Sequence, residues 1–205
     1  MYNVEYQYLR PKKADALKRW HEGNLEVRDQ LEVWHGHNAT ILPLRKDARV
    51  QFGLGGVVDE NGQYVDLSAI PDRVQFAYEF KNPEYRDEKV VYCGYMIKHW
   101  GHLLIEGVCR LWYFLEHDES IDKYIFFLDE NEQREIRGNY REFLQLLGIW
   151  DKLEFISKPI TFREVLVPEL ALRCHTYYSP KFRRMFDVIA DNVVIDPSWK
   201  PLEKI

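Results

Sequence analysis

The stretch Val90–Glu116, VVYCGYMIKHWGHLLIEGVCRLWYFLE, decides the fold class, because a short apolar strand in it runs directly into a histidine-bearing amphipathic helix. Wound at about 100° per residue, that helix places Leu104, Val108, Leu111 and Leu115 on one side and His102, Glu106, Arg110 and Tyr113 on the other. His99 joins the polar side if the helix starts that early. One surface then holds an imidazole, a carboxylate and a guanidinium within one or two turns, which are acid–base and anion-binding groups. Any solvated helix shows charge on one face, so the position of this one says more. At a βα junction of an open α/β sheet the helix begins at the carboxyl ends of the strands, where ligands bind.

Toward the C-terminus the pattern stays α/β. Tyr124–Leu128 (YIFFL) reads as a buried strand with Asp129 and Glu130 at its carboxyl end, which makes Asp129 a further site candidate. Arg134–Leu147 supports a helix capped by Gly148, Leu153–Ile156 and Val165–Val167 are short strands, and Pro168 stops the second. Phe182–Ala190 reads as a final helix and Asn192–Ile195 as a strand. Strands alternating with helices predict a Rossmann-like three-layer α/β sandwich with a mostly parallel sheet.

Toward the N-terminus, Lys12–Arg28 is rich in helix formers, and residues 30–58 alternate as strand. Asp59–Gly62 (DENG) is a hairpin turn in which Asn61 and Gly62 supply positive φ, so a β-rich hairpin region precedes the sandwich. Gly53–Gly56 (GLGG) matches neither phosphate-loop frame and leads into a strand, which makes it a bend. No repeat or linker interrupts residues 1–205, so one domain is expected.

With 205 residues, 46% of them hydrophobic and 15% aromatic, the chain can bury a substantial core. A net charge of -5 argues against a general nucleic-acid binder, which needs a basic face. Three widely spaced cysteines suit free thiols in a reducing compartment, and no run approaches the roughly 20 apolar residues of a membrane span, so a cytoplasmic protein is expected. Peripheral membrane association and homo-oligomers stay open.

Five segments occur in an order that carries a resemblance: ILPLR (Ile41–Arg45), Phe52–Ser68, the His99–Glu116 block, Phe143–Ile156 and Phe162–Glu169. Through them the chain resembles the N-terminal half of the family 61 glycosyltransferases, a group that includes bacterial capsular polysaccharide biosynthesis proteins. The family pattern in the central block is an Asn, then a His opening the helix, an acidic residue four on and often an Arg beyond. His102, Glu106 and Arg110 occupy those places, whereas the Asn neighbourhood here is Met96-Ile97-Lys98-His99. The resemblance implies the acceptor-side lobe of a GT-B-type enzyme, with the donor-binding half outside this chain and the chain alone inactive. It implies transfer from a nucleotide sugar, as substrate with no bound cofactor, to a glycan acceptor in capsular or surface polysaccharide biosynthesis.

Inverting transfer needs a base for the acceptor hydroxyl, and His102 and Glu106 at i, i+4 spacing form a pair able to supply it. Histidine exchanges protons near neutral pH, which favours His102 as the base and Glu106 as its orienting partner. Arg110 suits bidentate binding of an acidic sugar or phosphate, and His99 and Tyr113 extend the same face as substrate contacts. A zinc site from His99, His102 and Glu106 is the weaker alternative, since no HExxH or paired-Cys motif accompanies it and His35-Gly36-His37 reads as a strand with a single inward side chain. The chain also lacks an Asp-x-Asp triplet, which favours metal-independent chemistry. A non-catalytic carbohydrate- or partner-binding module competes in a different class, given six Trp and thirteen Tyr. His175, Tyr177 and Tyr178 form a second candidate cleft wall, and Arg183 and Arg184 a weaker anion contact.

Overall fold

In a computed structural model of the chain, residues 26–193 are described, apart from 48, 51, 71–75, 117–119, 134 and 175. The apolar strand of the opening stretch is the second half of β4 (Glu84–Tyr95). Its side chains alternate between two cores: Val91 and Cys93 enter one, Val90 and Tyr92 the other. β5 (Lys123–Phe127) does the same, Tyr124 and Phe126 facing one core and Ile125 and Phe127 the other. An unbroken apolar run is what a strand covered on both faces requires.

Around these two strands the sheet adds β2 (Val33–Arg45), β3 (Leu54–Val58), β6 (Leu153–Ile156) and β7 (Ile160–Pro168) in the order β3-β2-β7-β4-β5-β6. β4 pairs in parallel with both β5 and β7, and β5 in parallel with β6. β2, however, runs antiparallel to β3 and β7. The result is a curled, mixed half-barrel with short helices, and not the predicted Rossmann-like parallel sandwich or GT-B lobe. The reason lies in β2 and β4, which run for 13 and 12 residues and carry register shifts at Leu42/Arg45, Tyr92/Gly94 and Arg86/Lys89. Bulges in long strands bend them and increase their twist. The curl brings Leu44 from β2 onto the end of β5, where Leu44 N donates to Leu128 O at 2.8 Å and Glu130 N to Leu44 O at 2.7 Å.

Ile41, Val57, Tyr92, Phe127 and Phe162 fill the inside of the curl. The other face is covered by Leu103, Trp112, Phe143, Leu144 and Met185, from the segment after β4 and from two helices, α3 (Asn139–Leu146) and α4 (Pro180–Asn192). A second sheet of order β1-β9-β8 joins β1 (Glu26–Val27), β8 (Leu172–Arg173) and β9 (Tyr177–Tyr178). β1 occupies the end of the predicted Lys12–Arg28 helix, whose residues up to 25 lie outside the described ones. The predicted Asn192–Ile195 strand is corrected at its first residue, since α4 continues through Asn192, and residues 194 and 195 are outside the described set.

Two turns follow their sequence chemistry. Asp59 Oδ1 accepts from the N–H groups of Asn61 (2.9 Å) and Gln63 (2.7 Å), and Gly62 alone takes positive φ, at 78°. Gly56 sits at φ 113° with space only for hydrogen, because a Cβ there would lie 2.8 Å from Ser68 Oγ.

Candidate functional site

After β4 the chain does not form one helix. α1 (Trp100–His102) passes into a π-helical turn, Leu103–Gly107, closed by Val108 N to Leu103 O at 3.0 Å; a turn follows, and helix resumes only at α2 (Trp112–Glu116). A π turn holds one residue more than an α turn, so everything beyond it is rotated by about 100° from the expected phase. The predicted polar face is therefore cut in two.

Its first half is an open pair. His102 Nδ1 and Glu106 Oε1 lie 2.7 Å apart, with the side chains 39% and 21% exposed. The His99 ring stands 4.7 Å from that of His102, centre to centre. Glu106 also acts on the loop after β8: the Cys174 thiol is pushed up, first by burial and next by the Glu106 charge. Among the described residues no group of three or more His, Cys, Asp or Glu is placed to hold a metal ion.

The second half is sealed. Arg110 is 1% exposed and Tyr113 is 2% exposed, so neither belongs to an open face, which corrects their assignment as surface contacts. The Arg110 guanidinium donates to three backbone carbonyls: Nε to Pro168 O at 2.9 Å, and Nη2 to Leu67 O at 2.7 Å and Ala69 O at 2.9 Å. Its centre also lies 5.2 Å from the Tyr92 ring, and it rests against the bulge at Gly94. No carboxylate pairs with it among the described residues. Tyr113 packs edge-on to Trp112, whose Nε1 donates to Glu169 O at 2.9 Å.

Asp129 sits at the carboxyl end of β5 as expected, but its partner is Tyr95, whose hydroxyl donates to Oδ1 at 2.7 Å. Burial, and then that bond, push the Tyr95 phenol up. Beside it Arg45 holds Glu130 through Nε and Nη2 at 2.9 and 2.7 Å, and Lys98 pairs with Glu132. These acids close the barrel end and lie apart in role from His102. His175 lies outside the described residues. His35 and His37 both point outward, with rings 5.4 Å apart and His35 Nε2 2.9 Å from Glu164, which corrects the single inward side chain. A strand's period of two gives i and i+2 the same face.

The concavity that sequence reasoning largely missed is a cleft of about 430 Å³ between the Asp66–Ser68 turn and the β7–β9 connection. Tyr64, Phe76, Glu169, Arg173 and Tyr177 line it, and of these only Tyr177 stood among the expected wall residues. Four separate segments meet there, and no local pattern announces such a meeting. No family profile, curated protein or solved structure matches the chain. The likeness to family 61 thus rests on the segments quoted above.

Proposed function

We propose that the chain carries the proton-accepting side of a sugar-transfer enzyme, with His102 as base and Glu106 as the group that orients it. The observation that carries this reading is the 2.7 Å contact between His102 Nδ1 and Glu106 Oε1 on an open surface. A carboxylate so placed accepts the Nδ1 proton, which fixes the ring and puts the basic lone pair on Nε2. The π turn that presents the pair is a device frequent at functional sites.

The acceptor hydroxyl gives its proton to Nε2 as its oxygen bonds the anomeric carbon of a nucleotide sugar. The bond from that carbon to the diphosphate oxygen breaks, and its electron pair leaves with the nucleoside diphosphate. The transfer class follows the sequence resemblance, with a glycan acceptor of capsular or surface type and the cytoplasm as the setting. Three free thiols suit that setting, and among the described residues no helix is long and apolar enough to cross a membrane.

The test is transfer from a panel of nucleotide sugars onto glycan acceptors by the full gene product, read as nucleoside diphosphate release and acceptor mass. His102→Ala should lower turnover by at least about 100-fold and Glu106→Gln by about 10-fold, with circular dichroism unchanged. Full turnover in His102→Ala, or no transfer onto any acceptor, overturns the reading. A second reading, a carbohydrate-binding module without chemistry, is favoured by Phe76, which stands 56% exposed in the cleft. Glycan binding without turnover selects it.

A further inference from the structure

We infer that the cleft beside the Asp66–Ser68 turn binds an anionic sugar, a pyranose bearing a carboxylate or phosphate group. At about 430 Å³ the space falls in the range of small-ligand sites. The lining charges sum to zero, Arg28 and Arg173 against Asp66 and Glu169, and it is their placement that favours an anion. Arg28 is matched by Glu169 at 3.1 Å, and Asp66 stands exposed at the rim. The Arg173 guanidinium has neither ion pair nor hydrogen bond among the described residues. Behind the wall lies Arg110, buried without a carboxylate and bonded to the carbonyls of Leu67 and Ala69, which themselves line the cleft. A buried charge lacking a counterion leaves a positive field that an incoming anion relieves.

The other contacts suit a sugar ring. Tyr64 Oη is sealed from water beside Ser68, whose Oγ accepts from Val57 N at 2.9 Å, so Tyr64 lines the cleft with its ring and not with its hydroxyl. Phe76 is held by Gly55 N donating to Phe76 O at 2.9 Å and offers an apolar face, whereas the Tyr177 ring is covered by Arg28 at 4.1 Å. β8, which brings Arg173 to the cleft, also packs against the π turn Leu103–Gly107 that carries Glu106.

This inference rests on the proposed function only for the carbohydrate class of the ligand. Saturation-transfer NMR of the full chain with glucuronate, glucose 6-phosphate and glucose tests it. At least one acidic sugar should give a signal about fivefold or more above glucose, and the arm that responds names the group. Arg173→Ala should reduce that signal to the glucose level, and Arg173→Lys should restore part of it. Acidic-sugar binding retained in His102→Ala protein that has lost transfer separates the two readings. Equal signals from all three sugars, no binding of either acidic sugar, or binding intact in both Arg173→Ala and Phe76→Ala overturns the inference.

Discussion

Two halves of one sequence block, residues 99–106 and 108–113, each carry polar groups expected on one face and have opposite fates. The first ends in an open imidazole–carboxylate pair, and the second disappears beneath the exit of β7. Glu106 and Arg110 are four residues apart, as are His102 and Glu106, yet only the second pair shares a face. His102 and Glu106 meet across the π turn Leu103–Gly107, whereas the extra residue of that turn rotates Arg110 away from both. Gly107 packs closely against Leu103, whose Cδ1 would stand 2.8 Å from an added Cβ. The partner waiting for the second half is the chain after β7: Ala171 N donates to Cys109 O at 2.7 Å, and Pro168 O takes Arg110.

The sharpest way to break this comparison is Arg110→Met. It leaves the buried Pro168 carbonyl and the part-buried Leu67 and Ala69 carbonyls without this donor and should cost about 2–4 kcal/mol in urea unfolding. A loss under about 1 kcal/mol, the range of an exposed charge, would mean that Arg110 is no internal clamp. Gly94→Ala comes next. The glycine sits at φ 101°, and an added Cβ would stand 3.3 Å from Arg110 Nη1, so about 1–2 kcal/mol should be lost; a stabilised variant would contradict the bulge.

Glu130→Gln is weaker because the Arg45–Glu130 pair is part-exposed, and about 0.5–1 kcal/mol is expected. Arg45 holds the Glu130 carboxyl below its usual range, so the pair's contribution is complete above the carboxylate's unfolded pKa and is lost as pH falls through the folded value. The stability gap between variant and wild type should therefore close on acidification, and a gap independent of pH would refute the ion pair. The smallest stability effect, under about 0.5 kcal/mol, belongs to Glu106→Gln, whose pair is screened by water. Its readout is instead the alkylation rate of Cys174, which should rise once the neighbouring negative charge is gone. Cys109, buried and with its thiol pushed up to about 12, should stay unreactive in the folded protein.

Legibility followed locality. The Asp59–Gly62 turn, the apolar cores of β4 and β5 and the glycine after α3, Gly148 at φ 82°, are set by residues within a few positions of each other and could be read, whereas the strand expected at Val165–Val167 runs from Ile160 through Pro168. The His102–Glu106 contact was legible for the same reason, because its two residues are four apart and the rotation added by the π turn falls on the residues after it. Arg110 and Tyr113 were misplaced because a helical wheel carries no record of where the helix changes pitch. Arg173 and Tyr64 were not singled out as site residues because nothing near either in sequence marks a cleft.

By itself the sequence marked β4, β5 and β6 as strands separated by helical segments, without their order in the sheet. It also determined a histidine–carboxylate pair at the end of β4. Only the tertiary structure decided that β2 would run antiparallel to β7, that bulged strands would curl the sheet until Leu44 met Leu128, and that a guanidinium would lie inside. The physical reason is range: turns and faces are settled by neighbouring dihedral angles, whereas strand partners and buried charges are settled by hydrogen bonds between segments far apart in the chain.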